Sequence, residues 1–359
     1  MPNRSPISHP LFATVRDSHV PERLHDFGNQ SSLLIPSPNT VSHTKSPEQA
    51  RVLPSFIRVG NPPCMQLTER DKQILLSVYT YGFLTSHQIE ALIFHTGRKL
   101  RSLRSQCHRR LQLLYHHGYV TRIRVRVVFG EGRKPFVYAL DTRGRVEVAK
   151  RLSTSKRELN WRSKRNDIRD WQRLEHDLRN NDTWVVIDRL VQAGKLERPY
   201  WLTQRQLKAP TYRTKLPFII RNNQRKYKAP DSYFALRFPR FTQLAHFFYE
   251  EDRATESEKM WREKVDAYIQ YRQQGHAFTH FGSRHFRVLT KTVNQDRLAQ
   301  LKAWTERSGG DAMFWFTKEQ KIDIWQPTTL LEPIWEVATA QGVYPLTVKD
   351  GKELRLNDS

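Results

Sequence analysis

Cysteine is almost absent from this chain: Cys64 and Cys107 are the only two in 359 residues, and they are far apart. That excludes a disulfide scaffold and any cysteine-based zinc site, and makes a reducing compartment the default. No run of 18 or more apolar residues occurs, so no membrane-spanning helix is expected. No apolar stretch follows a basic start at the N-terminus, so no secretory signal is expected. There is no Gly-rich phosphate loop, no internal repeat and no heptad array. Acids are also in deficit, with 36 Asp and Glu against 60 Lys and Arg, a net charge of +24. An enzyme of small metabolites has no need of that imbalance. A partner with dense negative charge explains it, nucleic acid first and anionic membrane second.

Residues 1–65 hold ten of the nineteen prolines, with many Ser, His and Asn and no lasting period. Such a segment cannot bury enough apolar area to offset its ordering entropy, so a disordered Pro/Ser-rich tail is expected. Order begins at Leu67. Thr68 reads as a helix N-cap followed by two acids, Thr85 with Gln88 as a capping box, and Gly82 as a helix end. A third, longer helix from about Arg98 to His117 carries the stripe Leu100, Leu103, Cys107, Leu111 and Leu114. The period then changes to 2 over Thr121–Val127, turns at 130–135 and returns over Phe136–Leu140. Three short helices followed by a β-hairpin is the winged helix-turn-helix plan, expected over 66–150.

All nine tryptophans lie after residue 160, which marks a second domain over 167–330. A basic linker (151–166) precedes it and a C-terminal tail (331–359) follows. The expected elements there are a helix at 168–180, strands at 184–190, 231–238 and 244–252, a helix at 257–271, a strand at 286–293, a helix at 295–306, and strands at 313–317 and 322–325. The fold class is therefore α+β: a winged helix, then a sheet flanked by helices.

From Arg98 to Lys134 there are eleven Lys/Arg and one acid. Off the apolar stripe, the third helix presents Arg98, Arg101, Ser102, Ser105 and Arg109, side chains that bind phosphates and read base edges in a major groove. The hairpin adds Arg122, Arg124 and Arg126 on one face, with Arg133 and Lys134 at its tip. These residues define the expected double-stranded DNA interface.

The second domain holds a different constellation. Asp231 opens a strand after Pro230, and the strand from His246 ends in Glu250-Glu251-Asp252. Phe248, Glu250 and Asp252 share one face of that strand and Tyr249 and Glu251 the other. Carboxylates gathered at adjacent strand ends repel unless a cation lies between them, which is how Mg²⁺-dependent nucleases hold their metal. Asp231, Glu250 and Asp252 are the candidate ligands for Mg²⁺. With Lys264 from the following helix they are also the candidate catalytic residues. Glu175 could add an oxygen. The ordinary alternative is that these acids cap turns and pair with nearby cations.

Several short pieces resemble the replication-relaxation family of bacterial plasmids, integrative elements and phages. They are Leu67-Thr68-Glu69-Arg70-Asp71, Phe83-Leu84-Thr85, the arginine-rich third helix with Gly118-Tyr119-Val120, Tyr138 to Gly144, Glu175-His176-Asp177-Leu178, Pro230-Asp231, and Phe248 to Ser257 with Trp261, Lys264 and Tyr268. The resemblance implies a winged-helix DNA-binding protein serving replication, relaxation or mobilisation of such an element, alongside its replication or relaxase machinery. A homodimer is compatible with that role, and the implied location is cytoplasmic, on nucleoid or plasmid. The second domain is also similar to the restriction-endonuclease-like superfamily, in which an Asp after Pro is followed by (Asp/Glu)-x-Lys. Asp231 and Glu250 match, but position 252 is Asp where that pattern has Lys. The alternatives are thus a non-enzymatic DNA-binding protein, a Mg²⁺-dependent nuclease or nickase, and a winged-helix transcription regulator.

Overall fold

A computed structural model of the protein describes residues 53–95, 100–123, 134–159, 161, 171–221, 224–239 and 241–347. The expected tail falls mostly on residues 1–52, which lie outside the described residues, as do Arg98, Arg124, Arg126 and Arg133.

Helix α1 (Glu69–Tyr81) starts at Thr68, whose hydroxyl accepts from the Asp71 N–H while the Asp71 carboxylate accepts from the Thr68 N–H. It stops at Gly82, where φ is 78°, a conformation that costs glycine little. Strand β1 (Leu84–Thr85) leads into α2 (Ser86–Ile93), capped in the same way by Thr85 and Gln88. In α3 (Leu100–His116) the residues Cys107, Leu111 and Leu114 are buried in one core with Ile74, Leu75 and Val78 of α1 and Ile89 of α2. Arg110 of α3 grips both carboxylate oxygens of the fully buried Asp71 and also donates to the Gln66 carbonyl. Strands β2 (Val120–Ile123) and β3 (Val137–Leu140) pair antiparallel, and β1 joins the far edge of β3.

Helix α4 (Thr142–Arg151) was not expected from the sequence. A Cβ on its Gly144 would sit 2.1 Å from the Tyr119 carbonyl oxygen, so the close approach of α4 to the start of β2 requires glycine. The expected basic linker does not leave directly. Leu159 is buried in the core, and the Trp161 indole N–H donates to the Leu140 carbonyl.

Helix α5 (Trp171–Gln192) corrects the expected strand at 184–190. Trp184-Val185-Val186-Ile187 is apolar throughout and mostly β-branched, which imitates a buried strand. All four are nonetheless helical and at most 3 % exposed, because α5 is covered both by α2 and by the main sheet. Over these four residues the helix is enclosed on every side, and there the 3.6 period is lost.

The chain continues through β4 (Glu197–Thr203), the short helices α6 (Gln204–Leu207) and α7 (Pro210–Arg213), and the ribbon β5 (Phe218–Arg221) and β6 (Gln224–Tyr227). Then come β7 (Ser232–Arg237), β8 (Ala245–Glu251), α8 (Glu258–Gln273), α9 (His276–Phe281), β9 (Arg287–Thr292), α10 (Gln295–Arg307) and β10 (Phe314–Lys318). The expected strand at 322–325 is absent; that segment bends into a 3-10 turn at Pro327–Leu331. The expected C-terminal tail instead supplies β11 (Trp335–Val337) and β12 (Val343–Tyr344). Trp335 and Val337 are fully buried, so these strands complete the core.

The main sheet runs β12-β11-β10-β9-β8-β7-β4. Its middle pairs, β8–β9 and β9–β10, are parallel, and the flanking pairs are antiparallel. Alternation along each strand splits the side chains between two cores. Phe247 and Tyr249 join α5, whereas Tyr233 and Phe248 join Trp261 and Tyr268 of α8 and Leu301 of α10. The fold is thus α+β with a mixed sheet clad by helices. The α5-side core is continuous with that of α1–α3.

Candidate functional site

On α3 the face opposite the buried stripe is exposed: Arg101, Ser102, Arg104, Ser105, Gln106, His108 and Arg109. Among the described residues, Arg101 and Arg109 reach no acid that would tie them down, whereas Arg104 lies 3.8 Å from Glu90. Arg122 behaves differently from the expectation of a free hairpin cation. Its guanidinium lies over the rings of Tyr115, Phe136 and Tyr138 at 4.6, 4.9 and 5.7 Å, and so fastens β2 to the underlying aromatics.

The carboxylates meet at the β7–β8 junction. Ser232 pairs with Tyr249, so the next step of the antiparallel register sets Asp231 beside Glu250. Asp231 uses Oδ2 to accept the Glu251 N–H at 2.8 Å and His176 Nε2 at 3.0 Å. Its Oδ1 accepts from Gln204 at 2.9 Å. Burial acts to raise Asp231, but His176, the charge on Lys264 and the Glu251 N–H hold its carboxyl below the usual range. Burial likewise works against the His176 cation, yet the Asp177 carboxylate 3.8 Å away and the hydrogen bond to Asp231 lift its pKa to about 10. This pair is an imidazolium–carboxylate bridge at neutral pH.

Glu250 faces α8. It accepts from the Tyr268 hydroxyl at 2.6 Å and from the Lys264 ammonium at 2.8 Å. Burial pushes Glu250 up to about 7 against the pull of Lys264, and the charges of Asp231 and Glu256 add to the rise. Lys264 also contacts Glu256 at 2.7 Å, and its three carboxylate neighbours outweigh burial and raise its pKa. On the other face of β8, Glu251 accepts from the Tyr249 hydroxyl at 2.8 Å and lies 3.1 Å from the fully enclosed Lys291 of β9. Lys291 in turn donates to the Arg179 carbonyl.

Asp252 is committed elsewhere. Arg297 of α10 holds both its oxygens at 2.9 and 3.0 Å, and the Thr292 hydroxyl and the Ala254 N–H donate to it as well. Glu175 is paired with Arg253 and Arg179. The structure therefore brings together Asp231, Glu250 and Lys264, and leaves Asp252 and Glu175 in separate ion pairs.

The residues that complete the site were not assigned from the sequence: His176, Tyr268, Lys291 and Arg297. His176 stands within Glu175-His176-Asp177-Leu178, but its partner lies 55 positions away. Lys291 and Arg297 carried no signal, because only the parallel β8–β9 pairing and the packing of α10 bring them to the acids.

The Lys264 ammonium lies against Glu250 and Glu256 and within the field of Asp231. Among the described residues no group of three His, Cys, Asp or Glu is arranged to hold a metal. No helix among them is long and apolar enough to cross a membrane.

The replication-relaxation family matches residues 75–283, more than half of the chain. The match runs from α1 to just past α9 and takes in both the α3 face and the Asp231–Glu250–Lys264 cluster. The protein is a member of the replication-relaxation family. Among solved structures, the restriction endonuclease FokI is similar at 11 % identity over 74 % of this chain, with a TM-score of 0.25. The chain spans 45 % of FokI, and a likeness that loose carries no argument. No curated protein matches the chain.

Proposed function

We propose that the protein binds double-stranded DNA through α3 and serves replication, relaxation or mobilisation of a bacterial plasmid, integrative element or phage. One observation carries this reading: the exposed, basic and hydroxyl-bearing face of α3, on a helix fixed from behind by the Arg110–Asp71 pair. The order α1-β1-α2-α3-β2-β3 with a three-stranded antiparallel sheet supports a winged helix-turn-helix over 66–150. In this reading Arg101, Ser102, Ser105 and Arg109 line the DNA, and Arg98, Arg124, Arg126, Arg133 and Lys134 add further phosphate contacts. The partners are duplex DNA and the replication or relaxase machinery of the element, and the place is the bacterial nucleoid or plasmid. The part over 167–330 acts as a scaffold whose acids are neutralised by its own Lys264, Lys291, Arg297 and His176.

Binding to duplex DNA is expected to be steeply salt-dependent. With ~6–8 phosphate contacts, log K against log salt should slope at about −5 to −7. Arg101→Ala with Arg109→Ala should make that slope shallower by about 2 and lower affinity at least tenfold, read by fluorescence anisotropy. A double variant that binds like the parent would remove α3 from the interface.

A second reading is a Mg²⁺-dependent nuclease, favoured by the adjacency of Asp231 and Glu250 at two strand ends. Because Lys264 neutralises that pair, supercoiled plasmid is expected to stay intact with and without Mg²⁺. Mg²⁺-dependent nicking that disappears in Asp231→Asn would establish the nuclease instead.

A further inference from the structure

Between Glu197 and Asp231 the chain contains no acidic residue, yet it carries nine Lys and Arg. This stretch forms α6, α7 and the β5–β6 ribbon, the segment that links the edge strand β4 to β7. Arg213, Arg225 and Lys226 are exposed or half-exposed. Elsewhere, exposed cations commonly find acids: Arg237 meets Glu197, Lys150 meets Glu147, and Arg307 meets Glu258. Here Arg198 pairs with Asp188 and Lys228 with Glu263, but Arg213, Lys215 and Arg225 lean on rings instead. The Arg225 guanidinium lies 3.6 Å from the centre of the Phe218 ring, Arg213 lies 5.7 Å from that of Tyr227, and Lys215 lies 5.5 Å from that of Tyr212. The antiparallel register explains the first of these, because Phe218 pairs with Tyr227 and Ile220 with Arg225 along one short ribbon.

An aromatic platform holds a cation in place without neutralising it. A carboxylate partner would cancel the charge and compete with an incoming anion. Among the described residues no acid lies within ion-pair distance of Arg213, Lys215, Arg225 or Lys226, so α7 and the ribbon present oriented positive charge, which suits regularly spaced phosphates better than an isolated anion. We infer that α7 and the β5–β6 ribbon form a second docking surface for the phosphate backbone of DNA, separate from α3 and indifferent to sequence. The inference does not depend on α3 being the recognition helix. It adds cations that position the duplex and give the molecule two attachment points.

The test uses the full chain and a mixed-sequence duplex in an anisotropy salt series. Arg213→Gln, Lys215→Gln, Arg225→Gln and Lys226→Gln combined should make the slope shallower by about 2–4, at ~0.9 for each phosphate no longer neutralised. Affinity should fall at least tenfold, equally on unrelated sequences. The charge-keeping set Arg213→Lys with Arg225→Lys should retain most of the slope. If the fourfold variant melts early, Lys215→Gln with Lys226→Gln is read instead, with an expected change of about 1–2 in slope. Weakened binding in the ribbon variants, with Arg101→Ala/Arg109→Ala unchanged, would uphold the ribbon and remove α3. A slope and affinity equal to the parent in both neutralised sets would overturn the inference. So would unchanged DNA binding together with abolished binding to phosphatidylserine vesicles, which would make the ribbon a membrane-binding surface.

Discussion

Thermal stability in metal-free buffer is expected to fall steadily as pH rises from about 6.5 towards 10. His176 is the cause. The nearby Asp177 carboxylate and the hydrogen bond to Asp231 outweigh burial and raise its folded pKa to about 10 from the ordinary 6.5. The folded state thus holds this proton more tightly than the unfolded chain does. The stabilisation is complete below pH 6.5 and drains away as pH climbs through the folded pKa, at up to about 1.4 kcal/mol per pH unit, a few kcal/mol in all. Glu250, raised to about 7 mainly by burial, adds a decline in the same direction at lower pH. Asp231 is shifted the other way, so its contribution is lost only in acid. Melting temperatures between pH 6 and 9.5 check this. His176→Gln should start lower and stay nearly flat across the interval. An equally steep alkaline decline in that variant would refute the role given to the bridge.

Replacing Lys264 should be among the most damaging single changes in the molecule. Its ammonium compensates the buried Glu250 and the neighbouring Glu256. Removing one partner of a buried ion pair leaves a charge with neither water nor counterion, at a cost of about 3–5 kcal/mol. Lys264→Met is expected to lose that much in urea unfolding at pH 8. Glu250→Gln in the same chain should restore a large part, because the amide needs no counterion. Divalent cation sharpens the test. Mg²⁺ should leave the parent's stability unchanged and stabilise Lys264→Met, by about 1–2 kcal/mol at roughly tenfold excess over Kd. If Mg²⁺ stabilises the parent equally, Lys264 does not occupy the cation's place.

Where local chemistry decides structure, the sequence was readable. Thr68, Gly82 and Thr85 declared the ends of α1 and α2 because caps depend on residues within one turn. The strands β7 and β8 were legible from their aromatic residues and their terminal acids. Burial on every side erases the period: Trp184 to Leu190 looked like a strand and is the middle of α5. Strands β11 and β12 are 3 and 2 residues long, too short to carry any period. The site divides the same way. Asp231 and Glu250 stood out as acids at strand ends. Arg297 became visible only through the packing that delivers it to Asp252, and it redirects that carboxylate from the strand-end cluster into an ion pair. Lys264, one helix further on, reaches Glu250 across the packing of α8 on β8.

Helix α5 is riveted along its length to the α1–α3 part. The Gln88 amide bridges the Leu178 carbonyl and Asp182, Asn181 donates to the Phe83 carbonyl, and the Tyr81 hydroxyl donates to Asp188. The opposite side of the same helix lies on the sheet, where Thr183 meets the Tyr249 hydroxyl and His176 meets Asp231. One girder thus carries both the α3 platform and the β7–β8 junction. No break interrupts α5 between Trp171 and Gln192, so a shift at one set of contacts is passed along the helix to the other rather than absorbed between them.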